Sequence, residues 1–330
     1  MQTAASTAPA IDVHTHLAPL LDSAFLRQCD VTADAGGRFV VAGRPVGPLP
    51  LYDPAQLLCH LDDHALDQAF VSVPPPFFRQ DLTTERKSAW VDAINAGVIA
   101  ACDVDDRLKP LAYLPLEDPV VAVRVVRARL ASDEFIGWVA AAGGRSVPLG
   151  SPELAEVWHL LAADGRPMIL HPAESPDARL TPHYLHNLLG NPVETGLAAA
   201  ELVFGGVLAA NPHLRIVLVH CGGVVPSVAA RWQRGLETAR PGVDPSLPSV
   251  ATQLQRIYTD CLTHDAANLD LARHVFGDNR LLLGSDWPFP MGLEDPREPV
   301  RHLSPALQEQ ITRLNPRTLT SVRAASLSNG

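Results

Sequence analysis

The sequence predicts an α/β fold, specifically a (β/α)8 TIM barrel with a loop inserted after its first strand. Eight short β-type runs alternate with helical segments along the 330 residues. That is the pattern of parallel strands joined by crossover helices, and eight strands close a barrel. In addition, His16, His171, His220 and Asp286 each stand where a strand stops and its loop begins. In a barrel those positions converge on the C-terminal mouth, where sites are built. A doubly wound open sheet is the competing architecture, but no Gly-x-Gly-x-x-Gly follows the first strand.

Residues 1–10 read as a flexible lead, and 11–330 as one barrel domain. Ile11-Asp12-Val13-His14-Thr15-His16 is the first strand. Leu17 to Pro50 is rich in Gly and Pro and too long for an ordinary connection, which suggests a functional excursion near the site. Asp53-Pro54 opens a helix, with Asp as N-cap, Pro at the first position and Leu57, Leu58 and Leu61 on one face. Ala69–Val73 is the second strand, stopped by three prolines, and residues 83–103 are helical. Pro110–Leu114 precedes a helix over 119–131, and Phe135–Ala140 one over 152–163. Pro167–His171 is the fifth strand. Asn191-Pro192-Val193-Glu194 is close to a capping box and opens a helix to about residue 210. Arg215–His220 is the sixth strand, followed by a helix from about Pro226. Ile257–Asp260 is the seventh, before a helix over 266–276, and Leu281–Asp286 is the eighth. A last helical segment covers 304–314.

Composition narrows the function. Apolar residues make up 47% and charged residues 19%, as in a globular protein. A net charge of −10 with no basic cluster argues against nucleic acid and anionic membrane surfaces as partners. It leaves room for an anionic small molecule held by a few arginines. The five cysteines are odd in number and scattered, with no Cys-x-x-Cys spacing, and read as reduced thiols of a cytoplasmic protein. The first ten residues lack a basic start and an apolar run, so no signal peptide is expected. No apolar run approaches the length of a membrane span.

The chemistry starts at His14 and His16. Side chains alternate along a strand, so the two imidazoles point the same way and can grip one ion between them. Neutral imidazole suits zinc, iron, manganese or nickel. The bland alternative makes His171 and His220 ordinary core residues at strand ends.

The motifs Ile11–His16, His171-Pro172, Gly190–Thr195, Asn211–Arg215, His220-Cys-Gly-Gly223, Tyr258-Thr259-Asp260 and Leu283–Pro290 weigh against that alternative. With them the chain resembles the amidohydrolase superfamily over almost its whole length. More narrowly, it is similar to its aminocarboxymuconate-semialdehyde decarboxylase group of metal-dependent decarboxylases. The resemblance implies that His14, His16, His171 and Asp286 bind one divalent ion. Zinc is the first choice, with manganese or iron as alternatives. It implies His220 as general acid/base beside the ion. It also places Arg231 where the family's arginine reaches into a neighbouring subunit, making the protein a homodimer or larger homo-oligomer. Arg38 or Arg44 would be the second substrate arginine. Arginine suits a carboxylate through its bidentate fork, though all three could be plain surface residues. Phe77, Phe78 and Trp287 are candidates for an aromatic pocket.

Lys87 and Lys109 are the lysines of the chain, and neither sits at the end of the fourth strand. A carbamylated lysine bridging two metals is therefore not available there, and a mononuclear site is expected unless Glu174 holds a second ion. Ala173 and Cys221 depart from the family pattern, which points to a different substrate. The expected reaction is decarboxylation of an aromatic or conjugated unsaturated carboxylic acid. The alternative is metal-dependent hydrolysis of an amide, lactone or related bond, with Asp286 taking the proton.

Overall fold

The computed structural model describes residues 8–321. The chain opens with β1 (Ile11–His16) and then makes the insertion. This is not a bare loop. It holds α1 (Ser23–Gln28) and a three-stranded antiparallel sheet of β2 (Val31–Ala33), β3 (Phe39–Val41) and β4 (Arg44–Pro45). The barrel resumes with α2 (Pro54–Asp63), β5 (Gln68–Ser72), α3 (Thr84–Cys102), β6 (Leu108–Tyr113), α4 (Pro119–Arg129) and β7 (Gly137–Ala142). It continues through α5 (Ala155–Asp164), β8 (Met168–Pro172), α6 (Asn191–Phe204), α7 (Val207–Ala210), β9 (Ile216–Leu218) and α8 (Val225–Glu237). The last elements are α9 (Val250–Leu254), β10 (Tyr258–Asp260), α10 (Ala266–Phe276), β11 (Leu281–Leu282), α11 (Pro305–Glu309) and α12 (Asn315–Thr320).

The large sheet has eight parallel strands in the order β1-β5-β6-β7-β8-β9-β10-β11, so this is the expected (β/α)8 barrel. Its seam, between β1 and β11, carries only the isolated bridges Asp12↔Leu283 and Thr15↔Trp287. The eighth strand is correspondingly short, stopping at Leu282 where the sequence suggested Asp286. Asp286 cannot extend the strand, since its φ of 59° is left-handed, and at Gly284 a Cβ would lie 2.7 Å from that of Asp260 and 2.9 Å from that of His14. The chain passes too close to its neighbours for any side chain.

Helix starts follow local chemistry. The carboxylates of Asp53, Asp118 and Asp265 accept amide hydrogens at the starts of α2, α4 and α10. The expected capping box at Asn191 does not form, since a π-helical turn over His186–Gly190 runs straight into α6. Glu194 reaches instead to the amide of Gly144 at 2.7 Å, in the loop after β7. Gly205 and Gly206 then separate α6 from α7, with Gly206 left-handed at φ 71°. The buried tryptophans each find an acceptor for the indole N–H: Trp90 on Phe77, Trp138 on Asp164 and Trp158 on Leu149. At the front of the chain Ala8 and Ala10 are buried, whereas residues 1–7 of the expected lead lie outside the described residues.

Candidate metal centre

His14, His171, His220 and Asp286 meet at the barrel mouth, each offering a ligand atom within 4.8 Å of the others. His14 Nε2 lies 3.4 Å from Asp286 Oδ1, and His16 Nε2 lies 3.0 Å from the same oxygen. The His16 ring is 5.1 Å from that of His171, so all five residues read from the strand ends are brought together. His14, His16, His171 and Asp286 are buried, and His220 is half-buried.

Backbone conformation aims two of them. His220 has φ 56° and Asp286 φ 59°, left-handed values that side chains rarely adopt. Such conformations persist where the surroundings over-determine them, and they cluster at functional positions. After His220, Gly223 packs its Cα against the Pro192 carbonyl, where a Cβ would lie 2.5 Å from the oxygen.

Three of the four imidazoles have a second partner that fixes the ring, whereas His220 Nδ1 is buried with no hydrogen-bond partner among the described residues. Asp260 Oδ2 lies 2.8 Å from His14 Nδ1, Ser72 Oγ 2.9 Å from His16 Nδ1, and the Pro172 carbonyl 3.0 Å from His171 Nδ1. These contacts leave the Nε2 atoms of His14 and His171 buried with no hydrogen-bond partner among the described residues. Two buried lone-pair nitrogens facing a buried carboxylate make a donor set that a divalent ion completes.

The protonation states agree with this. Burial, helped by the neighbouring imidazoles, holds His171 well below the usual histidine value, and burial also lowers His16. Burial would push Asp286 up, but His14, His16 and His220 outweigh it and hold the carboxyl well below its usual range. His14 goes the other way. Burial pulls it down, yet Asp286, Asp260 and Asp12 together raise it.

A cavity of about 340 Å³ opens beside His220 and Asp286. Its polar lining, beyond His220 and Asp286, comes from Asn187, Asn191, Ser227, Thr263, His264, Asp265 and Asn268, and among the described residues no arginine or lysine lines it. Arg38 is bound to Asp34 within the insertion, and Arg44 reaches from β4 to Glu174, 3.2 Å away. Glu174 is therefore exposed, engaged elsewhere and outside the group of four. Arg231 is exposed on α8, one turn beyond Ser227.

The aromatic expectations need correction. Phe77 is fully buried against Trp90 and Phe39, because the turn over Pro75–Phe77 drives it into the core. Phe78 is the residue that comes near the centre, stacked on Tyr113 with its ring 6.4 Å from His171. Trp287 places its ring 6.1 Å from His60, whereas Phe289 lies 5.3 Å from His16. Lys87 lies on α3, away from the end of β7.

Neither Asp260, which the sequence offers only within the Tyr258-Thr259-Asp260 motif, nor Ser72 is marked by the sequence as a site residue. Asp260 ends a strand as His16 and His171 do, so the same rule finds it. Asn191 stands out only as a helix start, and nothing in the sequence singles out Asn187, Asn268 or His264.

The fold and these side chains define a (β/α)8 barrel with a histidine–carboxylate centre at its mouth. The amidohydrolase family model matches residues 11–319, and the chain belongs to that family. It is 32% identical to 2-amino-3-carboxymuconate-6-semialdehyde decarboxylase of Dictyostelium discoideum over 44% of this chain and 41% of that one. It is 26% identical to gamma-resorcylate decarboxylase of Rhodococcus jostii (strain RHA1) over 69% of this chain and 75% of that one. The chain thus covers less than half the length of the semialdehyde decarboxylases it matches. The crystal structure of 5-carboxyvanillate decarboxylase from Novosphingobium aromaticivorans, complexed with manganese, shares the fold. Its TM-score is 0.77 at 17% identity, over 96% of this chain and 97% of that one. Among the described residues no helix is long and apolar enough to cross a membrane.

Proposed function

We propose that this protein is a metal-dependent decarboxylase of a small aromatic or conjugated unsaturated carboxylic acid. The observation that carries the reading is the pair of buried, unpartnered Nε2 atoms of His14 and His171 beside Asp286 and His220. The decarboxylase names of the relatives give the centre its reaction class. His14, His16, His171 and Asp286 would hold one divalent ion, with zinc proposed and manganese the ion to test against it. When bound, the ion supplies positive charge that polarises a substrate oxygen.

The chain's own groups do the rest. His220 stands at the cavity wall, its Nε2 3.7 Å from Asp286 Oδ2, where it can pass a proton to a substrate in the cavity. Delivered to the carbon that bears the carboxylate, that proton makes the carbon tetrahedral. The bond to the carboxylate then breaks, its electron pair returns to the conjugated system, and CO2 leaves. The cavity fits one small ring, and its amide, hydroxyl and imidazole lining suits neutral polar substituents. Asp265 in the same wall disfavours a second negative charge there, which supports a substrate with a single carboxylate, or one whose second carboxylate is met by Arg231 of another subunit. The five free cysteines support a reducing, cytoplasmic setting.

The deciding experiment offers the zinc- or manganese-loaded protein a panel of hydroxylated aromatic acids and lactones. CO2 release from an acid is the expected result. Lactone or amide hydrolysis without CO2 would replace this reading with the hydrolase one.

A further inference from the structure

The seam of the barrel joins the two strands that supply most of the candidate ligands, and it has the least backbone ladder. β1 shifts register against β5 between Asp12 and Thr15, and meets the β11 side through isolated bridges, with backbone hydrogen bonds from the Val13 amide to the Leu283 carbonyl, from Asp286 to His14 and from His16 to Trp287. A side chain works at that gap. Asp12 Oδ1 accepts the amide hydrogens of His14 and of Ser285, each at 3.1 Å. One carboxylate oxygen therefore ties the residue carrying a ligand on β1 to the residue just before Asp286.

The other oxygen, Asp12 Oδ2, is buried with no hydrogen-bond partner among the described residues. So is His60 Nε2, on α2, and the two atoms lie 3.5 Å apart. Asp12 is completely buried and His60 nearly so. A buried acceptor left unmade is costly, and so is a buried donor, yet here each faces the other across a gap that a small ring rotation closes. His60 is itself backed by His64, ring to ring at 4.8 Å, and His64 Nδ1 lies 3.5 Å from Asp295 Oδ1, in the segment after β11. The line Asp12–His60–His64–Asp295 thus braces the seam from outside the barrel.

We infer that Asp12 and His60 form a positioning pair for the metal centre. His60 donates its Nε2 hydrogen to Asp12 Oδ2. This orients the carboxylate so that Oδ1 holds the His14 and Ser285 amides together and sets the spacing of His14 against Asp286. The inference rests on the assignment of His14 and Asp286 as ligands. Neither Asp12 nor His60 touches the substrate or the ion.

The test measures zinc affinity by chelator competition, and the melting temperature of the metal-free chain, on full-length His60→Phe, His60→Gln and Asp12→Asn. Outer partners of metal ligands typically change affinity by about 10–100-fold. His60→Phe, which removes the donor, is expected to weaken zinc by that factor. His60→Gln restores a donor and should recover most of it, and Asp12→Asn should fall between. A purely structural role would lower the melting temperature and leave the affinity of the folded chain unchanged. Wild-type affinity in His60→Phe, or in Asp12→Asn should the first variant not fold, overturns the inference. His14→Ala is the separate control. If it keeps its zinc, the ligand assignment fails, whatever the His60 variants do.

Discussion

Asp260 Oδ2 lies 2.8 Å from His14 Nδ1, and the same carboxylate accepts the amide hydrogens of His220 at 3.1 Å and Cys221 at 2.8 Å. One buried acid on β10 therefore fixes the ring of one candidate ligand and the backbone of the candidate base. Asp260→Asn keeps the shape but cannot accept equally from all three groups. It is expected to weaken zinc by about 10–100-fold and to lower turnover as well. Chelator competition and steady-state rates check this. Unchanged affinity would reduce Asp260 to a loop anchor.

The contrast between Asp260 and His16 shows what a sequence discloses. His14 and His16 are legible because alternation puts both on one face, and His171, His220 and Asp286 because each ends an apolar run. Asp260 ends a run too, but that run, Ile257-Tyr258-Thr259, is short and partly polar, so it stands out less than the apolar runs before His171, His220 and Asp286. The seam is illegible for another reason: Leu281–Asp286 has the composition of a strand, and the left-handed turn of Asp286 that ends it has no mark in the sequence. Glu194 reads as a cap because its spacing is right, yet the π-helical turn before it leaves nothing to cap, and Gly144 claims the carboxylate. Asn187 reaches the cavity from that same turn, which has no sequence period of its own, and Asn191 from the start of α6.

Metal loading should fall on the acid side of neutrality, with His14 setting the limit. Its proton is held above the ordinary value of 6.5 because Asp286, Asp260 and Asp12 outweigh the effect of burial. A ligand must be neutral, so protons compete at His14 first, as pH falls through a value above 6.5. His16 and His171 are lowered, and they take up protons only further down. Zinc affinity should drop about tenfold per pH unit through this range. Affinity constant from pH 7 down to 5 would show that His14 is not a ligand.

Lys87 Nζ lies 3.0 Å from Glu117 Oε1, and both side chains are almost wholly buried. The second Glu117 oxygen has no hydrogen-bond partner among the described residues, so the pair is only partly satisfied. Removing one partner strands a buried charge, at a cost of about 3–5 kcal/mol, whereas an apolar replacement of both is often neutral. Lys87→Met should therefore be strongly destabilised in denaturant unfolding. The double variant Lys87→Met, Glu117→Leu should recover most of the loss. A double variant as unstable as the single one would show that packing, not charge, matters here.

Arg231 offers a test of assembly. It is exposed on α8 one turn from the cavity-lining Ser227, and it makes no hydrogen bond or ion pair with any described residue. If it completes a neighbouring subunit's cavity, inactive Arg231→Ala chains mixed with inactive His220→Ala chains should regain activity. Hybrids then contain one intact site. No recovery despite demonstrated subunit exchange would confine Arg231 to its own chain.

His220 is where geometry and expected role pull apart. Its position within the group of four would let it serve as a ligand in place of His16, which hydrogen-bonds Asp286 from just outside that group. Three facts favour the catalytic role. His220 is half-buried where His14, His16 and His171 are fully buried, it lines the cavity, and its Nε2 stands 3.7 Å from Asp286 Oδ2, while His16 stands 3.0 Å from Oδ1. A ligand's loss empties the centre. Loss of a proton carrier leaves affinity intact and removes one step, worth about 10²–10⁴-fold in rate. His220→Asn is therefore expected to keep its zinc and its fold and to lose turnover by that factor. His16→Asn should instead weaken zinc. A metal-free His220→Asn protein would exchange the two roles, and a fully active one would remove His220 from the mechanism.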